Sequence, residues 1–305
     1  MKQVEIFQVD AFTDRPFGGN PAGVVPRAEG LTAAEMQLIA REIKASETAF
    51  VLPPSDDRAD VQVRFFTPTR EVALCGHATI ATFHLLAELG RLELKPGLNL
   101  FRQETNAGVL PVEVHVEEAA GRPRIMMHQV LPKIVATIDN EESVADLLGT
   151  EALNIKDAPG KVQIVSTGLP DLIVPVRDRE SLYGLRPDFE ELAAYCRRHQ
   201  VVSVHAFCFA PEEDEFTVYC RDFAPAAGIP EEAATGTANG ALGAYLVLNR
   251  LIPVDGDAVH IVAGQGHNLQ RPSSIAVEIQ LDGETITAVK VGGTAVTVLR
   301  GELSF

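Results

Sequence analysis

The chain has 305 residues, 46% hydrophobic and 22% charged, a balance usual for a soluble globular protein of one or two domains. A formal net charge of −16, with no basic run, argues against nucleic acid as a partner. There is no signal-peptide pattern and no apolar run of roughly 18 residues, so a cytoplasmic protein with no membrane partner is expected.

Residues 4–12 read as a strand, and 13–21 (TDRPFGGNP) as a loop before a strand resumes at Val24 and Val25. Thr32 and Glu35 predict a capping box for a helix with Met36, Ile39, Ala40 and Ile43 on one face. A short strand at 49–52 ends at Pro53-Pro54. Val61, Val63 and Phe65 alternate with Gln62 and Arg64 in another strand. After Val72-Ala73-Leu74 the chain turns through Cys75-Gly76-His77 into a helix. That helix is apolar nearly all round (Ala78, Ile80, Ala81, Phe83, Leu85, Leu86, Leu89), which predicts a buried helix, with Gly90 placed to end it. Strands are expected near 98–104, 108–116 and 124–128.

The junction falls near residues 131–140, giving domains 1–130 and 131–305, with the last strands able to pack back on the first. A short helix at 139–148 is expected, then strands at 162–166 and 171–176 around a turn holding Gly168. Residues 187–198 predict an amphipathic helix with Pro187 in its first turn. Strands at 203–209 and 215–221 lead to a second nearly all-apolar helix through Ala241, Leu242, Ala244, Tyr245, Leu246, Val247 and Leu248. Three last strands lie near His260, Ala276 and residues 289–299.

The two apolar helices belong to an internal duplication. Arg221, Phe223 and Pro225 repeat Arg64, Phe66 and Pro68, and Thr235-Gly236-Thr237 repeats Cys75-Gly76-His77. The spacing is about half the chain, so a whole domain is duplicated and a short-period solenoid is excluded. Each helix begins with unpartnered N–H groups and a positive dipole end, which suits an anion such as a substrate carboxylate. Two such helices predict a grip on one small anionic substrate from both sides; ordinary core helices after glycine turns are the other reading. Of the cysteines, Cys75, Cys196, Cys208 and Cys220, none forms a CxxC pair, and no metal site is expected. Cys196, Cys208 and Cys220 read as structural thiols.

Several ordered stretches resemble one family: VDAFTDRPFGGNPAGVV, SETAFV, RFFTPTREVALCGHATIAT, STGLP and RDFAPAAGIPEEAATGTANGAL. Together they look like the PhzF (phenazine-biosynthesis-like) family, from residue 8 to about 245, and the tail GQGHNLQRPSSIAVEI also fits. The resemblance implies an α+β, diaminopimelate-epimerase-like fold. Two similar pseudo-symmetric domains, each a barrel-like, mostly antiparallel sheet around a central buried helix, would hold the site between them. It also implies a homodimer, no metal or organic cofactor, and proton transfer by a single glutamate, which falls on Glu47. The GHAT histidine falls on His77. The family's founding member isomerises a dihydro-hydroxyanthranilate; the usual Asp, Pro and Ser of its second half are Glu232, Ala233 and Thr237 here, which keeps a carboxylate and a hydroxyl but adds length and a methyl group and leaves the substrate open.

Proton transfer between carbons needs one group that takes and returns the proton. A free Glu is a weak base at neutral pH, and apolar neighbours such as Ala45, Ala49, Phe50 and Val51 would raise its pKa into a useful range. His77 at a helix start would be neutral and hydrogen-bond a substrate. Glu232 would bond Glu47, His77 or a substrate amine. Thr237 either caps its helix or donates to a carboxylate. Asn20 builds a turn or lines the site, Ser46 and Gly168 join it through their motifs, and Gly76 and Gly236 fit tight turns or let substrate approach the backbone. Related two-base racemases carry a cysteine in each half. Here Cys75 faces Thr235 in the repeat, and a threonine hydroxyl is no base at neutral pH, so Cys75 reads as a packing residue. The expected activity is a cofactor-independent isomerase of a small carboxylate-bearing metabolite. An epimerase, racemase or dehydratase, and a non-catalytic binder, are the alternatives.

Overall fold

A computed structural model of the chain describes residues 1–117, 122–211 and 214–305. In chain order the first elements are β1 (Gln3–Ala11), β2 (Asn20–Val25), α1 (Ala33–Ile43), β3 (Glu47–Leu52), β4 (Val61–Phe66), β5 (Glu71–Val72), α2 (Gly76–Glu88), β6 (Gly97–Thr105), β7 (Gly108–Val116) and β8 (Arg124–Gln129). Next come β9 (Lys133–Thr137), α3 (Glu141–Leu148), α4 (Leu153–Lys156), β10 (Gln163–Ser166), β11 (Pro170–Pro175), α5 (Arg179–Gly184), α6 (Phe189–His199) and β12 (Ser203–Phe209). The chain ends with β13 (Val218–Ala224), β14 (Ile229–Glu232), α7 (Gly236–Leu248), β15 (Ala258–Gln265), β16 (Ser273–Asp282), β17 (Thr285–Gly293) and β18 (Ala295–Ser304). No helix among the described residues is long and apolar enough to cross a membrane.

Two compact units result, Met1–His128 with Gly292–Phe305, and Gln129–Val291. The final strand belongs to the first unit because β18 pairs antiparallel with β1, from Gln3 opposite Ser304 to Ala11 opposite Ala295. The fold is α+β, and each unit is a mostly antiparallel, barrel-like sheet around a buried helix. In the first unit β1 pairs antiparallel with β2, β2 parallel with β3, and β3 antiparallel with β4; β4 pairs antiparallel with β5 and parallel with β6. The second unit repeats this order. There β10 pairs antiparallel with β11, β11 parallel with β12, and β12 antiparallel with β13; β13 pairs antiparallel with β14 and parallel with β15. The role of β18 beside β1 is taken by β9 beside β10. Identical connectivity with identical strand sense is what a duplicated domain produces.

The central helices follow from composition. In α2 every residue from His77 to Leu86 is buried, and the helix packs on β1, β2, β3 and β18. An all-round apolar surface leaves no face that water can stabilise, so the sheet must wrap it. The helix stops as predicted: Gly90 has φ +65°, its N–H reaches Ala87 O at 3.0 Å and Arg91 N–H reaches Leu86 O at 2.8 Å, a Schellman pattern. Helix α7 is buried from Ala238 to Val247 and packs on β10, β11, β12 and β16. Outside the first sheet, α1 carries the predicted Thr32–Glu35 capping box and buries Met36, Ile39 and Ala40 against Ile6, Phe50 and Phe66.

Four local expectations change. The junction at 131–140 contains a strand, β9, with Val165 opposite Ile134 in its register with β10. Pro187 precedes the N-cap of α6: Asp188 is the cap, its carboxylate accepting from Glu190 and Glu191 N–H, so the helix begins at Phe189, two residues beyond the proline. The strand expected from 215 starts at Val218. The last strands number four, because the 289–299 run breaks at Thr294 between β17 and β18.

Candidate active site

Three polar side chains of the first unit, Glu47, Ser46 and Cys75, surround His77 at the start of α2. Glu47 is the first residue of β3, held opposite Ala22 of β2. Its carboxylate Oε2 lies 3.3 Å from His77 Nε2, and the side chains of His77 and Glu47 are 9% and 15% exposed. Ser46 Oγ lies 3.1 Å from the same nitrogen. On the other side of the ring, Cys75 Sγ is 3.4 Å from Nδ1. A tautomer with the proton on Nε2 satisfies this arrangement: the thiol donates to Nδ1, and Nε2–H donates to Ser46 Oγ with Glu47 Oε2 beside it. Burial pushes the His77 pKa down, opposed by the Glu47 charge, which keeps the ring neutral. No side chain caps the N-terminus of α2, and its first turn holds no acidic residue. The free N–H groups therefore face whatever anion enters beside Glu47.

Gly76 is informative. It is the first residue of α2, it does not have positive φ, and a Cβ built there meets nothing within 4 Å. Neither backbone conformation nor packing requires glycine, so the tight-turn explanation falls and open space for a ligand remains. Asn20 is buried at the start of β2 opposite Ala11; Gly19, with φ +60°, makes the turn before it. Cys75 is half-buried and faces His77, which corrects its reading as a packing residue: the helix start leaves its side chain outside the core.

In the second unit, Glu232 ends β14 opposite Asp222 of β13. Gly236 and Thr237 open α7, whose N-cap is Thr235. Thr237 is thus the second helical residue, and the capping alternative for it fails on position. Nor does Thr235 cap with its hydroxyl, which donates to Asp222 Oδ2 at 3.0 Å. Gly168, with φ +128°, forms the turn before β11. Strand register gives the correspondence between repeats. Glu47 pairs with Ala22 as Ser203 pairs with Asp171, and Phe65 pairs with Val72 as Asp222 pairs with Glu232. The second repeat therefore carries a serine where the first carries Glu47.

Sequence reading missed the buried network that supports this second helix start. Gln265 is fully buried; its amide donates to Glu232 O at 3.0 Å, and its carbonyl accepts from Thr235 N–H at 3.2 Å and Asn239 Nδ2 at 2.8 Å. Asp222 accepts from Ser203 Oγ at 2.7 Å, and His205 Nδ1 lies 3.0 Å away. The signal available was the Arg-Asp dipeptide 221–222 in an otherwise apolar strand.

Ser203 has one hydroxyl proton, yet its oxygen lies 2.9 Å from Asp171 Oδ1 as well as 2.7 Å from Asp222 Oδ1. If the serine donates to Asp222, Asp171 must supply the proton of its own contact and is a neutral carboxylic acid. Burial first, and the Asp222 charge second, hold the Asp171 pKa well above the usual carboxylate range. The linkage sign follows. Above pH ~3.9 the unfolded Asp ionises while the folded one keeps its proton, so stability falls as pH rises through that window. Asp171→Asn, whose amide can donate in place of the acid proton, is expected to raise Tm over wild type at pH 8, with the gap closing towards pH 4. Thermal melts across that range check it, and a pH-independent gap would show that Asp171 is ionised in the folded chain.

Compared with known proteins, the chain matches the model of the phenazine biosynthesis-like protein family (PhzC-PhzF) over residues 9–301. It is 39% identical over 307 residues to an uncharacterised isomerase of Clostridium acetobutylicum, covering 99% of each. It is 36% identical to an uncharacterised isomerase of Escherichia coli K12, covering 98% of this chain and 97% of that one. A PhzF-family phenazine biosynthesis protein of Bacillus anthracis matches with a TM-score of 0.90 at 33% identity over 100% of both chains. A hydroxyproline epimerase of Agrobacterium vitis shares the fold, with a TM-score of 0.64 at 16% identity over 99% of this chain and 91% of that one.

Proposed function

The chain belongs to the phenazine biosynthesis-like (PhzC-PhzF) family and is an isomerase, and on that premise we propose that it moves a proton between carbons of a small carboxylate-bearing metabolite, with Glu47 as its one acid/base group. One observation carries the reading. The repeat gives Glu47 a serine, Ser203, as its counterpart, so the proton has one carrier that must both take it and return it.

The base removes the proton as carboxylate and gives it back as carboxylic acid, leaving the enzyme unchanged after each turnover. Neutral His77 sits against Glu47 with an N–H to offer, able to bond the carboxylate or a substrate oxygen as the charge moves. The uncapped N–H groups of α2 favour a substrate carboxylate, and the open space over Gly76 lets it approach the backbone. Glu232 and Thr237 keep the substrate-orienting roles that the family resemblance gives them. A two-thiol racemase is disfavoured because Cys75 has Thr235 as its counterpart.

The test is isotope exchange. Dihydro-hydroxyanthranilate and a panel of small unsaturated or amino-bearing carboxylates are incubated with the protein in deuterated water, and carbon-bound deuterium is read by mass spectrometry. Substrate that gains one deuterium supports the isomerase reading. A folded protein that exchanges none of the panel, while binding some of it, is a binder, and the proposal fails.

A further inference from the structure

We propose that Glu47, Cys75 and His77 also form a binding site for a thiophilic divalent cation of the zinc class, which silences the base when occupied. One ligand atom from each residue lies within 4.8 Å of the others. The donor set is one thiol sulfur, one imidazole nitrogen and one carboxylate oxygen, the mixture that zinc accepts and that magnesium or calcium, which take oxygen, does not. In a tetrahedral zinc site with Zn–S about 2.3 Å and Zn–N about 2.0 Å, the sulfur–nitrogen edge is about 3.5 Å. Cys75 Sγ and His77 Nδ1 already stand 3.4 Å apart, and Glu47 Oε2, now 3.3 Å from Nε2 of the same ring, must turn to the Nδ1 side to complete the set. Glu47 Oε2 is buried with no hydrogen-bond partner, and its contact with His77 Nε2 is a loose 3.3 Å, so an ion can draw it away. Three protein ligands leave the fourth position to water, the arrangement of an open zinc site.

The backbone makes the cluster compact. Cys75 and His77 flank Gly76 at the start of α2, and Glu47 reaches them from the first residue of β3. Binding breaks the Cys75 S–H bond, forms a sulfur–metal bond and releases one proton to solvent; no redox step is involved. An ion held there engages the Glu47 oxygen that proton transfer needs. That consequence rests on the isomerase reading, whereas the binding itself does not.

Cobalt is the probe. The full chain is titrated with Co2+, and the thiolate-to-cobalt charge-transfer band in the near ultraviolet is followed. A band saturating at one equivalent is expected, displaced by Zn2+ and lost in Cys75→Ser. Glu47→Gln should weaken binding tenfold or more, at least the loss seen for disturbing groups around a metal. Cobalt bound elsewhere, for example at Glu113 with His115 and His128 at 3.0 and 2.8 Å, has no sulfur ligand and gives no such band. A second readout needs no variant. Cys196, Cys208 and Cys220 are buried and Cys75 is not, so one thiol of four should react with Ellman's reagent in the native chain, and Zn2+ should slow it at least tenfold. No band with one equivalent of cobalt, a band that persists in Cys75→Ser, or a thiol rate indifferent to zinc would each overturn the proposal. Failure of the deuterium experiment would leave these readouts untouched.

Discussion

Glu47→Gln is expected to lower kcat by roughly a hundred- to ten-thousand-fold and to abolish deuterium wash-in, while KM changes little. General acid/base catalysis by a positioned side chain is worth about that factor, or about 3–5 kcal/mol of barrier. Glutamine keeps the size of the side chain and can still bond a neighbour, but it cannot take a proton from carbon. Because His77 is held neutral by burial, removing the Glu47 charge leaves no unpaired buried cation, so the fold should survive. The comparison is made by turnover and exchange of the variant beside wild type, with Tm as the control for folding. A variant that keeps turnover within tenfold would remove Glu47 as the base and turn attention to Cys75. His77→Gln, which preserves an N–H donor, is expected to lose less than Glu47→Gln.

The second large effect concerns stability, and the duplication supplies its own control. Arg221 forms a two-bonded fork with Glu231 at 2.8 and 2.7 Å and donates through Nη1 to Leu182 O and Leu185 O at 3.2 and 2.9 Å. Its guanidinium also lies over the Phe223 ring, 4.8 Å from the centroid. The repeat places Arg64 in the same fork with Glu71 at 2.7 and 2.8 Å, over Phe66 at 5.2 Å. Burial separates the two pairs: the Arg221 and Glu231 side chains are 7% and 10% exposed, those of Arg64 and Glu71 25% and 26%.

Arg221→Met should therefore cost about 3–5 kcal/mol, mostly from the carboxylate and carbonyls left without a partner. Arg64→Met should cost about 1 kcal/mol or less, since water reaches the remaining Glu71. Calorimetric melts of both variants make the comparison, with a Tm loss on the order of 10 °C expected for the first and a few degrees for the second. Equal losses would mean that fork geometry, and not burial, sets the energy of this motif.

Much of the architecture was legible because it rests on local pattern. The all-round apolar runs of α2 and α7 have no alternative to burial. The Thr32–Glu35 box and Gly90 are local devices whose geometry is decided within a few residues. The duplication was readable because Arg-x-Phe-x-Pro and the glycine before each helix recur in order. Places where the reading failed have tertiary causes. Strand β9 is short and mostly exposed, without the alternation that marks a half-buried strand, and only its pairing with β10 makes it one. Pro187 fits either side of a helix start, and Asp188 decides the matter by offering its carboxylate to two N–H groups.

The candidate site divides in the same way. Glu47, His77 and the two helix starts were reachable from motif and spacing, since each motif is contiguous. That Cys75 turns to His77, that Gly76 has no structural need to be glycine, and that Ser203 stands where Glu47 stands in the other repeat were not. Those facts depend on strand register and on which side of a ring a neighbour approaches, and residues far apart in the chain set both. By itself the sequence determined the fold class, the duplication and the family, because periodic burial and ordered motifs are local and repeated. Only the tertiary structure decided the partners of each polar group, because a hydrogen bond or a shared proton is fixed by distances of a few tenths of an ångström between segments the chain does not connect.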